Sequence, residues 1–321
     1  MKKLICLFLA AVLAVSVSAC KDEAKADTVR MAVLKGPTGI GAVTLMENAA
    51  NGATVNKYEF STYGAPDEIS AKLIKGELDI ASVPTNLAAV LYGKTKGGVT
   101  VLAVNTYGVL SVLENGETVS SLSDLRGKEI YLTGEGSNPE YILRHLLKSN
   151  GVDPDSDVTL RFVSNNDELV GLLVNGTAKL AMVPEPAATT VLTKKTELRR
   201  ALDLTREWEN VSPDSELMMG CVVAKKDYIA SHSGTVKTFL EEYKGSVDAL
   251  ADTAAVAALC EKYEIVPSAA IAEKAIPYCH IGFCEGEQMK EKLSGYLDVL
   301  FAFDPSSVGG ALPGEDFYHI P

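Results

Sequence analysis

Four cysteines in the second half of the chain could form disulfides, remain free thiols or bind a metal: Cys221, Cys260, Cys279 and Cys284. Outside the reducing cytoplasm an even number of thiols predicts at least one disulfide, and four thiols allow three connectivities. Free buried thiols are the alternative interpretation. A metal site on Cys279, His280 and Cys284 is disfavoured because the set lacks a clear fourth ligand, so we expect no metal.

Cys20 stands apart from these four because it follows an export signal. Two lysines precede an apolar run from Leu4 to Val15, which is shorter than the roughly 20 residues that a membrane-spanning helix needs. Val17–Cys20 resembles the lipobox, in which the cysteine sulfur receives a diacylglyceryl group. We therefore expect a signal peptide over residues 1–19 and a lipidated tether over residues 20–27, which anchors the chain to the cell membrane on its extracytoplasmic face.

Composition limits the possible functions of the remaining residues, which suffice for two domains of ordinary size. The formal net charge is −12 and there is no basic run, so no nucleic acid is expected as a partner. The chain also lacks the Gly-x-x-x-x-Gly-Lys-Ser/Thr phosphate loop, so we expect no use of ATP and no cofactor.

A repeat at an offset of one hundred positions is the main internal feature of the sequence. Residues 67–91 return, without a gap, as residues 167–191. Eight pairs are identical: Asp67, Glu68, Leu73, Gly76, Ala81, Val83, Pro84 and Ala88 match Asp167, Glu168, Leu173, Gly176, Ala181, Val183, Pro184 and Ala188.

Each copy has the pattern of a helix, a strand and a second helix. In the first copy the helix ends at Gly76, the strand covers Leu78–Val83, and Thr85 is expected to cap the next helix. In the second copy we predict a helix over Asp167–Val174 and a strand over Ala178–Val183.

A strand and a glycine-bearing loop precede each copy. Val29–Leu34 leads into residues 35–41, and Glu129–Thr133 leads into residues 134–138, after which Pro139 opens a helix. The sequence therefore predicts an α/β fold with two similar lobes. In such sheets a ligand lies beyond the carboxyl ends of the strands, against helix N-termini.

Three stretches resemble solute-binding proteins of ABC importers with the type II periplasmic-binding-protein architecture: Leu73–Ala81, Leu122–Ile130 and Asn175–Pro186. The resemblance extends over about residues 28–265 and is strongest to the branch that binds sulfonates, nitrate and the thiamine pyrimidine precursor. One departure is Lys179, because the family often has aspartate there, as at Asp79 in the first copy.

The resemblance implies two lobes joined by a two-strand hinge. The expected segments are lobe 1 over residues 28–108, lobe 2 over residues 109–220, and a return to lobe 1 over residues 221–321. The C-terminal helices, near residues 234–250, 252–262 and 286–302, are expected to pack on lobe 1. The tail from Phe303 to Pro321 is expected to wrap the surface.

The resemblance also implies that the lobes close over a small-molecule solute and present it to an ABC permease and its ATPase. Polar side chains at predicted strand ends and helix starts are the candidate ligands, although each could instead be a simple cap or turn residue. The candidate binding residues are Thr38, Tyr63, Thr85, Asn86, Asn105, Tyr107, Ser137, Asn138 and Glu185.

Charges in the predicted cleft loops slightly favour a neutral or amine-bearing organic solute. Lys35 is the one base in those loops, whereas Glu135 and Glu185 are acidic. A sulfonate or nitrate bound through helix N-termini alone is the alternative. The protein is expected to act as a monomer.

Two other classes of function are weighed against import. Enzymes of the thiamine pyrimidine and menaquinone pathways share the fold, but they would be cytoplasmic, and no Ser/His/Asp or Cys/His set is suggested by position. We therefore expect no catalytic residues. A ligand-sensing surface lipoprotein is the other alternative.

Overall fold

The computed structural model describes residues 28–321, so the expected signal peptide, the tether and Cys20 lie outside the described residues. Within this range the chain forms eleven strands: β1 (Thr28–Leu34), β2 (Lys57–Tyr63), β3 (Ile80–Pro84), β4 (Val99–Thr106), β5 (Leu110–Asn115), β6 (Glu129–Leu132), β7 (Thr159–Phe162), β8 (Leu180–Pro184), β9 (Leu198–Asp203), β10 (Gly220–Lys225) and β11 (Ile281–Cys284).

The same range contains thirteen α-helices, none of which has the length and apolar character needed to cross a membrane. They are α1 (Pro37–Ile40), α2 (Val43–Ala50), α3 (Pro66–Lys75), α4 (Thr85–Lys94), α5 (Asn138–Ser149), α6 (Asn166–Val174), α7 (Ala187–Lys194), α8 (Leu204–Val211), α9 (Lys226–Ser231), α10 (Ser233–Asp248), α11 (Thr253–Lys262), α12 (Ala269–Ala275) and α13 (Gly286–Phe303).

The strands form two mixed sheets, one in each lobe. The first sheet has the order β11-β4-β10-β3-β1-β2, and the second has the order β7-β6-β8-β5-β9. The chain passes from β4 of the first sheet to β5 of the second, and it returns from β9 to β10. The predicted α/β class with two lobes and a two-strand connection is therefore confirmed.

The repeated helix–strand units form because residues that end or cap helices occur in both copies. Helix α3 ends at Gly76, whose φ of 75° lies in the left-handed region that glycine tolerates. In the second copy Asn165 caps α6 by accepting a hydrogen bond from the Glu168 amide at 2.9 Å, and Gly176 has a φ of 84°.

The Asp79/Lys179 departure has a structural explanation. Asp79 is buried before β3, and its carboxylate accepts hydrogen bonds from the backbone amide and Nε of Arg30, both at 2.9 Å. Lys179 is exposed, and its backbone carbonyl accepts a hydrogen bond from the Asn115 amide at 2.8 Å. The second lobe has no arginine at the corresponding place, so a carboxylate there would lack this partner.

The C-terminal helices differ from expectation in one respect. Helices α10 and α11 pack on α2 of lobe 1, whereas α13 contacts both β4 of lobe 1 and α5 of lobe 2. Its buried side chains, such as Leu293 and Leu297, belong to an apolar cluster that includes strands of both sheets. The tail does more than wrap the surface, because Phe317 is fully buried.

The four described cysteines are free thiols, so the predicted disulfide is not formed. All four are buried, and packing in the apolar interior explains their environment without a bridge. Burial also raises the pKa of the Cys260 thiol to about 12.

Candidate functional site

The carbonyl of Met219, at the start of the return into lobe 1, is shared by both lobes. The backbone amide of Thr85, the first residue of α4, donates to it at 3.1 Å. From lobe 2, Nδ2 of Asn138 at the start of α5 donates to the same oxygen at 3.4 Å. Two helix N-termini, one from each lobe, therefore meet at the connection between the sheets.

The side chain of Thr85 has a different role from the predicted cap. Helix α4 begins without a side-chain cap, and the Thr85 hydroxyl donates instead to the carbonyl of Met218. The expectation of a cap was wrong because Thr85 is itself the first helical residue, and its hydroxyl points to the interlobe connection.

Two asparagines beside this carbonyl each present an unsatisfied oxygen. Nδ2 of Asn86 donates to the Ser307 carbonyl at 3.4 Å, and Nδ2 of Asn138 donates to Met219. Both Oδ1 atoms are buried and have no hydrogen-bond partner among the described residues. Since Nδ2 must face a carbonyl, each amide is oriented with its acceptor directed away from that carbonyl.

Thr38 and Asn105 are joined in a separate network at the lobe 1 side. Nδ2 of Asn105 donates to the Thr38 carbonyl at 3.0 Å and to the Tyr243 hydroxyl at 2.8 Å. Its Oδ1 accepts from the Thr106 hydroxyl at 3.0 Å. Asn105 thus fixes the loop after β1 to the end of β4.

The loop after β1 needs glycine at position 39. A Cβ on Gly39 would lie 2.2 Å from the Leu34 carbonyl oxygen, which is far inside van der Waals contact. The predicted ligand loop therefore folds tightly back on the strand that precedes it.

Glu185 is 1% exposed, and the charge of its carboxylate is balanced by an ion pair. Its Oε1 lies 2.6 Å from Nη2 of Arg200, and its Oε2 accepts from the Thr189 amide at 3.1 Å. The same guanidinium donates to the Ser111 hydroxyl and stacks on the ring of Tyr278, with 4.4 Å from Cζ to the centroid. Sequence reasoning missed Arg200 because it lies within β9 and not at a strand end.

The other three predicted ligands each have contacts of their own. Ser137 donates to the Gly134 carbonyl at 2.7 Å, which closes a local turn. Tyr63 lines a small surface groove of about 150 Å³ beside Arg30. Tyr107 packs against Gly282, where a Cβ would approach its ring to 2.5 Å, and burial raises its pKa to about 12.

Two bases near the cleft loops, Lys35 and Arg200, are ion-paired. Nζ of Lys35 lies 3.3 Å from the Glu264 carboxylate on the surface, and Arg200 is bound to Glu185. The negative charge of Glu185 is therefore balanced by Arg200 within lobe 2.

Comparison with known proteins gives one family match. The model of the ABC transporter, phosphonate, periplasmic substrate-binding protein family matches residues 48–214, which is more than half of the chain. No curated protein sequence matches the chain significantly.

Solved structures share the fold at low sequence identity. An ABC transporter from Parabacteroides distasonis has a TM-score of 0.77 at 23% identity, over 92% of this chain and 98% of that one. The aliphatic sulphonate-binding protein SsuA of Escherichia coli has a TM-score of 0.70 at 14% identity, over 91% and 96%. The nitrate-binding protein NrtA of Synechocystis has a TM-score of 0.58 at 12% identity, over 78% and 69%.

Proposed function

Because the chain belongs to the phosphonate-binding family of periplasmic substrate-binding proteins of ABC transporters, we propose that it captures a small organic solute between its two lobes while a lipid on Cys20 holds it at the membrane. The captured solute is handed to a permease that works with an ATPase. An anchored receptor of this kind stays close to its permease, which raises its effective concentration there.

The observation that carries the proposal is the meeting of both lobes at the Met219 carbonyl. Asn138 of lobe 2 and Thr85 of lobe 1 contact the same backbone oxygen, at 3.4 and 3.1 Å. A solute that bound to the N-termini of α4 and α5 would therefore touch both lobes at once, and its binding would favour their closure.

The proposed binding residues fall into two groups. Thr85, Asn86 and Asn138 surround the shared carbonyl and are the proposed direct contacts, with Thr38 and Asn105 forming the lobe 1 wall. Glu185, Tyr63, Tyr107 and Ser137 are proposed to contribute at the margin, because each has partners of its own in this structure.

The proposed solute is neutral or amine-bearing. Arg200 is held by the buried carboxylate of Glu185, and Lys35 faces the Glu264 carboxylate on the surface, so each base has an acidic neighbour before an anion arrives. Family relatives that bind phosphonate, sulphonate or nitrate make an anionic solute the competing possibility. We further propose that the chain acts as a monomer and catalyses no reaction.

Recovery of the solute tests the function directly. The chain without its signal and with Cys20→Ala is purified, and any bound small molecule is released and identified by mass spectrometry. A single organic solute that compacts the protein in X-ray scattering is the expected result. Absence of any bound molecule, together with no compaction by nitrate, phosphonates or sulfonates, would contradict the proposal.

An asparagine pair on one helix supplies a matched test of the site. Asn138→Ala removes a proposed contact at the start of α5, whereas Asn150→Ala removes a cap at its end, where Nδ2 donates to the Leu146 carbonyl at 2.9 Å. We expect the first variant to lower solute affinity by about tenfold and the second to leave it unchanged. Calorimetric titration measures both; equal affinities would place the site elsewhere.

A further inference from the structure

The C-terminal turn Pro305–Val308 lies between the helices that begin at the cleft in the two lobes. On the lobe 1 side, the Ser307 carbonyl accepts from Asn86 of α4. On the lobe 2 side, the ring of Phe303 just before the turn packs edge-on against His145 of α5, with 6.2 Å between centroids. The segment Phe303–Val308 therefore touches both lobes, beside Asn86 in lobe 1 and on the helix that Asn138 begins in lobe 2.

Contacts at both ends fix the conformation of this turn. The Asp304 carboxylate accepts from the Ser306 amide at 2.9 Å, and Gly309 closes the turn with a φ of 87°. A Cβ on Gly309 would lie 3.1 Å from Cα of Val90, so the turn rests closely on α4.

Three buried polar atoms without partners among residues 28–321 occur on the segments that meet here: Oγ of Ser307, Oδ1 of Asn86 and Oδ1 of Asn138. Their residues are 1%, 6% and 2% exposed. An unsatisfied buried polar atom destabilises a fold, so a group of them calls for a functional explanation. Ser307 was not among the residues expected to bind solute.

The chemistry of the three atoms defines what would satisfy them. Both amide oxygens are acceptors, because Nδ2 of each asparagine already faces a carbonyl. The serine hydroxyl can accept or donate. Two acceptors and a hydroxyl complement a group that brings N–H or O–H donors, whereas a sulfonate or nitrate ion has none to offer.

We propose that the turn Pro305–Val308 forms a third wall of the solute cleft, where Ser307, Asn86 and Asn138 select a solute that carries hydrogen-bond donors. This inference rests on the proposed function and adds to it a specificity residue and a solute class. The three atoms are enclosed, so the solute reaches them when the lobes separate and is held when they close.

Matched probes test the solute class. Ethanesulfonate is compared with 2-aminoethanesulfonate, and ethylphosphonate with 2-aminoethylphosphonate, by thermal shift of the Cys20→Ala chain. The members of each pair differ by an ammonium donor. A larger rise in melting temperature with the amino member of a pair supports the proposal, whereas equal or smaller rises with the amino member overturn the donor-bearing class.

Ser307→Ala tests the wall itself, with the exposed neighbour Ser306→Ala as the control. If Ser307 contacts solute, Ser307→Ala weakens binding of the best amino probe, or of the solute recovered from the wild-type protein, by about two- to tenfold. Its melting temperature without solute stays the same or rises, since an unsatisfied hydroxyl has been removed. Ser306→Ala leaves binding unchanged.

A merely structural serine gives the opposite result: Ser307→Ala lowers the melting temperature and leaves affinity unchanged, which overturns the third wall. Failure of the wider proposal looks different, because the wild-type protein would then retain no solute and respond to none of the probes.

Discussion

The guanidinium of Arg200 lies 2.6 Å from the carboxylate of Glu185, which is buried at the cleft end of β8. The charge of Glu185 is thus balanced inside lobe 2 before any solute arrives. A buried carboxylate without this partner would be costly, so the pair constrains both the stability of lobe 2 and the electrostatics of the cleft.

Replacing Arg200 by methionine should therefore destabilise the protein strongly. We expect a loss of about 3–5 kcal/mol in the free energy of unfolding, because Glu185 would stay buried without its counter-charge. Urea denaturation measures the loss. Arg206→Met is the control: its side chain is 82% exposed and lies 3.9 Å from Asp203, so little change is expected. Similar losses in both variants would mean that Glu185 does not depend on Arg200.

The two copies of the repeat supply a second comparison, at Asp79 and Lys179. Asp79→Ala removes the acceptor of the Arg30 amide and side chain, and we expect a loss of about 2–3 kcal/mol. Lys179→Ala, at the equivalent exposed position, should change stability by less than about 0.5 kcal/mol. Equal effects in chemical denaturation would show that the carboxylate does not hold β1 to β3.

The ion pair between Glu47 of α2 and Lys262 of α11 should weaken in acid. Hydrogen bonds from Lys262, Tyr263 and Asn51 lower the pKa of this carboxyl from 4.5 to about 2. Because the folded pKa lies below the unfolded value, the stabilisation is present above about pH 4.5 and is lost as the pH falls toward 2.

Glu47→Gln should therefore make the fall in unfolding free energy between pH 4.5 and 2 shallower. Denaturation curves across this range measure the slope, with the exposed Glu241→Gln on α10 as a variant of equal charge change. An unchanged slope in Glu47→Gln would show that these hydrogen bonds do not persist in solution.

The buried thiols predict a clear result with a thiol reagent. At pH 8 the native chain without its signal and with Cys20→Ala should react slowly, because the thiolate is the reactive form and burial raises the pKa of Cys260 to about 12. After unfolding in urea without reductant, all four thiols should react. Two reactive thiols would instead indicate one disulfide and reverse the finding of free cysteines.

The repeat made the two lobes predictable, because helix caps and strand ends are determined by nearby residues. Gly76 and Gly176 end their helices as expected. Arg200 and Ser307 were missed because their partners, Glu185 and Asn86, are brought to them by the folded chain. Asn105 was predicted to bind solute, which stays a prediction; its hydrogen bonds with Thr38, Thr106 and Tyr243 could not be read from any local pattern.

Helix α13 makes the lobes less independent than the two sheets suggest. It contacts β4 of lobe 1 and α5 of lobe 2, and its apolar side chains belong to a cluster that continues through both lobes. A close-packed layer shared by two lobes must repack where they move relative to each other. If the lobes open as proposed, we expect α13 to slide across one of them, so that the motion is partly shear and solute entry is accompanied by repacking of this helix.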